Sequence, residues 1–334
     1  MLDRHALALA LPAYTLLWGV TAPHTWSALW LVPVGLTIAL DVVARPDRGA
    51  PLPPSRTHDV LMLVLAAAHI ANLGFLAARA NSLTPFEWGV GVFLVGSASG
   101  YSAIVVAHEL VHRTSTAERW LGRVLLTSVF YDHFHIEHVR GHHKRVATAD
   151  DPATARHGEP FGPFLLRSVV GQLASAIELE ARRGRTGLRN GVLHGFVAAA
   201  FAAAVLGAVG GGSALAAHLV QAAWAITLLE AVNYIEHWGL SRAASRVSVR
   251  DSFDAEGWFT RYTLIGLARH ADHHANAARP YPALRWVEES PKMPWGYWAT
   301  ALGAVFVNGV VRRRLDAELR RCGLGPYATQ GTAS

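Results

Sequence analysis

Cysteine is almost missing: Cys322 stands alone among 334 residues. That excludes an intramolecular disulfide, a Cys-x-x-Cys redox pair and a four-cysteine iron site. Any electron carrier must therefore be a separate protein. Lysine is nearly as scarce, with Lys144 and Lys292 the only two among 30 basic residues. Charge as a whole is thin, at 16% of residues against 51% apolar, where soluble domains carry about 25%. The deficit argues for an integral membrane protein. A net charge of +6 would suit nucleic acid, but the arginines are placed for membrane orientation, and no nucleic-acid partner is expected.

What is present is a series of apolar runs. Residues 6–22, 26–43, 59–78, 86–107, 192–209 and 214–236 each approach the roughly 20 residues that cross a bilayer as a helix. Gly210-Gly211-Gly212-Ser213 is short enough only for a tight turn between antiparallel helices. Six crossings put both termini on one side. Arg79 is then the one basic residue on the far side, and the other 29 of 30 lie on the near side. By the positive-inside rule the near side is cytoplasmic, as in a bacterial-type inner membrane. The first run passes into the second without the cleavage site of a secretory leader. Residues 120–131 and 297–311 read as helices in the interface or packed on the cap. The expected organisation is one all-α membrane domain over 1–322 with a cytoplasmic histidine-rich cap, then a disordered tail over 323–334.

Nine histidines cluster at the near-side ends of these runs: His108, His112, His138, His142, His143, His237, His270, His273 and His274. One zinc takes about four ligands, so nine imidazoles suggest two metals. His108 and His112 share a helix face at i,i+4, and His138 with His142 repeats that spacing. His143 then points about 100° away from His142, toward a second metal. Imidazole suits iron, copper and zinc, and a redox-active pair accounts for nine better than a hydrolytic site does. Glu109, Glu137, Glu236 and Asp272 are candidates to orient ligating rings, or equally to pair with nearby arginines. Asp150 and Asp151 read as a loop and helix-cap feature beside Pro152. His133 and His135 fall outside the ligand spacing, and His5, His24, His58, His69 and His218 read as isolated structural residues.

The motifs HELVHR at 108–113, HFHIEHVRGHH at 133–143, DPATARHGE at 151–159, NYIEHWGL at 233–240 and RHADHHANAARPYPALR at 269–285 resemble the membrane-bound alkane 1-monooxygenase family, within the fatty acid desaturase superfamily. The resemblance implies a six-helix membrane fold and two non-haem irons sharing the nine histidines. It also implies electrons from rubredoxin and rubredoxin reductase, and O2-dependent hydroxylation of a terminal or unactivated C–H of a medium- or long-chain alkane. Residues 252–257, SFDAEG, depart from the Trp-Asn-x-Asn-His type stretch usual before the last cluster.

Two other readings stay open. The same fold can serve a fatty acyl desaturase, or a hydroxylase of another lipid, a terpenoid or an alkyl-aromatic. HELVH alone can mark a zinc metalloprotease with Glu109 as general base, which leaves six histidines without a role. The arginines at 182, 183, 185, 189 and 312–314 suit an acidic redox partner or anionic lipid.

Overall fold

The computed structural model describes residues 4–21 and 27–328. Among them the chain is helical, with isolated bridges (Pro46 to Gly257, Asp254 to Lys292) in place of strands. A 3-10 turn over Arg4–Leu9 runs into α1 (Ala10–Val20), and α2 spans Val32–Val43. His24 lies outside the described residues.

Three helices are long and apolar enough to cross a membrane, Arg56–Arg79 (α3), Pro85–Val111 (α4) and Gly191–His237. Each starts where its sequence supplies a cap. Ser55 and His58 form a reciprocal box ahead of α3. Thr84 and Glu87 do the same for α4, with Pro85 in the first turn, where a missing N–H costs nothing. Asn190 caps the third through Val192 N.

The third helix reverses at Gly211, whose φ of 77° and ψ of −178° are open to glycine and strained for other residues. The two arms, α8 (191–210) and α9 (212–237), both return to the segment around residue 131. Gly195 of one packs on Asp132, and Glu230 of the other accepts from Tyr131 at 2.8 Å. The glycine-rich hinge is thus the tight turn its composition suggests.

Residues 19–21, 79–82 and 210–213 gather at one end. Arg79 donates to Gly19 O, Asn81 to Gly210 O and Ser213 to Ala80 O. The histidines lie at the other end.

α4 is the buried axis of the bundle. Its glycines let neighbours come close: a Cβ on Gly91 would meet Trp18 at 2.2 Å, and one on Gly96 would meet Gln221 O at 2.8 Å. Close packing through small residues is how helices associate without a hydrophobic drive. Outward faces are apolar, with Phe201 71% and Val209 86% exposed, as suits a lipid surround.

The remaining helices build the cap. They are α5 (Thr116–Thr127), α6 (134–145), α7 (Phe161–Ala181), α10 (Trp258–Thr263), α11 (His270–Ala275), α12 (Tyr297–Phe306) and α13 (Asn308–Cys322). Of the tail expected to lack order, residues 325–327 form a 3-10 turn whose Tyr327 hydroxyl donates to Asp316 at 2.7 Å. Residues 329–334 lie outside the described residues.

Candidate metal centre

The nine histidines come together in two groups. His108, His112, His138, His143 and His273 form one, and His142, His237, His270 and His274 the other. Within each group the candidate ligand atoms all lie within 4.8 Å of one another. α4 supplies His108 and, at its C-cap, His112, α6 the second cluster, α9 ends on His237, and α11 carries the last three.

The grouping in α6 differs from an α-helical reading. Residues 138–142 form a π-turn, and the His143 N–H reaches His138 O, five residues back. That wider turn stacks i over i+5, so His138 and His143 share one group, with their Nε2 atoms 3.1 Å apart. His142 is turned to the other. The expected pairing of His138 with His142 therefore does not hold, because π-turns, rare overall and concentrated at functional sites, shift the face by one residue. A second π-turn over Ser99–Ile104 precedes His108. In α11 ordinary spacing rules: His270 and His274 are partners at 2.9 Å, and His273 faces His143 at 3.2 Å.

These nitrogens fit metal ions. Nε2 of His108, His112, His142 and His237 is buried with no hydrogen-bond partner. Several of the others face only another ring's Nε2. Buried polar atoms are ordinarily paired, so lone pairs converging on shared points are the donor arrangement that suits bound cations. Burial also drives His138, His143, His270, His273 and His274 well below the usual imidazole range. At neutral pH they are the neutral, ligating form.

Four carboxylates are candidates to orient the rings. Glu236 does approach one, with Oε2 3.1 Å from His270 Nε2, while its Oε1 accepts from Tyr297 at 2.8 Å. The other three engage guanidinium groups: Glu109 takes Arg113 at 3.0 Å, Glu137 takes Arg145 at 2.7 Å, and Asp272 takes Arg279.

Sequence reasoning missed Asp151. Its Oδ1 accepts from Ala153 N at 3.2 Å, the turn role expected of it, but Oδ2 sits 2.9 Å from His142 Nδ1. Burial pushes His142 down, yet Asp151 outweighs it and the ring's pKa rises. Asp254 was missed too. It accepts from Ala271 N at 2.7 Å and from Ser290 at 2.8 Å, which fixes the start of α11. His133 and His135 stay outside both groups: His133 stacks near Phe196, and His135 lies against Asp132.

An apolar cavity reaches the site. Ile104, Phe134, Leu229, Val232 and Leu267 line it together with His108, His138 and His270.

A helical bundle with a lipid-suited exterior and two all-imidazole nests at one end, beside a small apolar cavity, defines a membrane metalloprotein. The chain belongs to the fatty acid desaturase family, which it matches over residues 85–301. It is 34% identical to alkane 1-monooxygenase 1 of Pseudomonas aeruginosa over 316 residues, covering 87% of this chain and 83% of that protein. It is 39% identical to the alkane 1-monooxygenase of Acinetobacter baylyi over 61% of this chain and 53% of that protein. A xylene/toluene monooxygenase hydroxylase component of Pseudomonas putida is 30% identical over 73% of this chain and 68% of that one.

Proposed function

We propose that the chain is a membrane-embedded alkane 1-monooxygenase that converts R–H, O2, two electrons and two protons into R–OH and water. The nine histidines meeting in two groups, six buried and three half-buried, in a chain of this family, carry the reading. An alkane C–H bond offers no acidic proton and no leaving group, so acid–base residues cannot open it. Two irons held by the nine histidines would supply the oxygen activation that this step requires.

The protein's own part is positioning and exclusion of water. His108, His112, His138, His143 and His273 would hold one ion, and His142, His237, His270 and His274 the other. Phe134 stacks on His138 with ring centroids 4.5 Å apart, and with Leu229, Val232 and Leu267 gives a chain end a dry wall beside the histidines. Asp151 orients the His142 ring from its Nδ1 side, while Glu236, held by Tyr297, faces the Nε2 of His270, on the metal side of that ring.

The six crossings, with both termini and the metal site cytoplasmic in an inner membrane, complete the proposal. Its support is the gathering of residues 19–21, 79–82 and 210–213 at the end remote from the histidines. Rubredoxin and its reductase are the proposed electron donors, and the substrate enters from the bilayer. The exposed arginines at 183, 189 and 313 suit an acidic carrier.

The test is conversion of alkanes, fatty acids and alkyl-aromatics by cells co-expressing rubredoxin and its reductase, with products read by mass spectrometry. A gain of one oxygen is expected; loss of two hydrogens would make it a desaturase. Metal analysis should find about two irons per chain, and a single zinc would reject the assignment.

A further inference from the structure

α4 is not α-helical throughout. Ser99–Ile104 form a π-turn, every residue of it buried, and His108 and His112 follow. A π-turn holds one residue more than the α-turn it replaces, and one residue is about 100° of rotation. Were this stretch ordinary helix, Ala107 and Val111 would take the angular places that His108 and His112 hold. The two rings would then face away from the five-histidine group. The turn therefore decides whether α4 supplies ligands.

Its own sequence, SGYSAI, contains no proline to force it. A cluster of polar side chains grips its first residue instead. Ser99 Oγ lies 2.8 Å from Val95 O, one turn back, and 2.8 Å from Gln221 Oε1 on α9. His69 Nδ1 of α3 stands 3.5 Å from the same hydroxyl, and its Nε2 is 2.7 Å from Ser128 at the end of α5. Ser99 and Gln221 are wholly buried, and His69 nearly so.

A serine bonded to the carbonyl four residues back competes with the backbone for it and loosens the helix there. Gln221 adds a partner from outside. Inside a membrane-spanning bundle no water stands ready to replace that partner. α9 follows the turn along one face. Gln221 meets Ser99, Trp224 Nε1 donates to Ser97 at 3.0 Å, and Leu228 closes on Gly100, where a Cβ would meet it at 3.0 Å. Steps of three and four residues keep these contacts on one side of α9.

The cluster is remote from the metal centre. Ser99 precedes His108 by nine residues, about 13 Å along the helix axis. α4 gives nothing to the four-histidine group, so losing the turn affects one group only.

We infer that Gln221 and Ser99 are positioning residues for the metal centre: their bond holds the π-turn, and the turn aims His108 and His112 at the five-histidine group. The inference rests on the two-metal reading. It gives a role in that site to polar residues of the membrane interior that touch no ligand.

Gln221→Leu, which removes the bond and roughly keeps the volume, tests it in purified protein loaded with iron and titrated with a graded chelator, with Mössbauer spectra to tell the groups apart. The five-histidine group should bind iron about tenfold more weakly, and the four-histidine group should keep its affinity. The residual spectrum should match that of His112→Ala. Deleting Ala103 in the same variant removes the surplus residue, so that an ordinary helix again points His108 and His112 at their group, and should restore both irons. Ser99→Ala should act like Gln221→Leu, and serves in its place if the first variant proves unstable in a thermal melt. Equal weakening of both groups, an unchanged five-histidine group, or a loss that the deletion does not repair overturns the inference alone. Unsubstituted protein that binds fewer than two irons removes the two-metal reading, and the inference with it.

Discussion

Asp151 Oδ2 lies 2.9 Å from His142 Nδ1, and both side chains are buried. The carboxylate also accepts from Thr154 at 2.6 Å, so the ring is held from behind while its Nε2 faces the other histidines. A ligating ring held this way is a stronger and better oriented donor.

Asp151→Asn should therefore lower metal affinity at the four-histidine group by about 10–100-fold, with little change at the five-histidine group. Competition with a graded chelator, followed by metal counting, gives the answer. Equal weakening of both groups would show that Asp151 acts on the fold instead.

The π-turn separates neighbours in sequence. His142→Ala and His143→Ala should each leave about one iron per chain, but at different groups. Mössbauer spectra of the two variants should then retain different components. His138→Ala should resemble His143→Ala and not His142→Ala. Identical residual spectra in all three would undo the assignment of His138 with His143.

Gly141 sits inside that turn with no room for a side chain. A Cβ there would lie 2.4 Å from both Glu137 Oε1 and Arg145 Nη2, the two partners of an ion pair. Gly141→Ala should destabilise the protein by about 1–3 kcal/mol, as overpacking typically does. It should also lower metal retention at both groups, since α6 feeds each. An unchanged melting temperature would mean that the pair moves aside freely.

α13 is secured by Asp316, which meets His157 at 2.8 Å, Tyr327 and Arg320. The hydrogen bond with His157 leads in holding its carboxyl at about 2, below an ordinary 3.8. A carboxyl lowered on folding stabilises the folded form above its unfolded value and loses that contribution as pH falls toward the folded value. Protection factors for hydrogen exchange over residues 308–327, corrected for the intrinsic pH dependence of exchange, should therefore fall between about pH 4 and pH 2. Asp316→Asn should exchange faster at neutral pH and lose this acid step. A step that persists in the variant would assign it to another group.

The long apolar helices and the order of the histidine clusters were legible because both are one-dimensional: a run of about 20 residues and a set of spacings. The pairing within α6 was not. Sequence spacing presumes 3.6 residues per turn, and the π-turn over 138–142 breaks that premise without a compositional mark.

α7 escaped for a different reason. Its buried stripe includes Ser168, Gln172, Ser175 and Glu180, while Leu166, Val170 and Ile177 face outward. That is the reverse of the pattern expected of a soluble amphipathic helix. Gln172 reaches Glu230 at 2.8 Å, and Glu180 takes Arg140 at 2.7 Å. Asp151 and Asp254 hid similarly: each reads locally as a loop acid, and its partner is known only once the chain is folded.

Every candidate ligand is an uncharged ring, so two bound cations would keep their full positive charge inside the protein. Of the buried acids nearby, Glu137 is already answered by Arg145 and Asp254 by Lys292. Asp151, against His142, and Glu236, against His270, are the carboxylates placed to offset the ions. Stripping the metals would leave these two without their counter-charge, so metal loading should steady this end of the bundle.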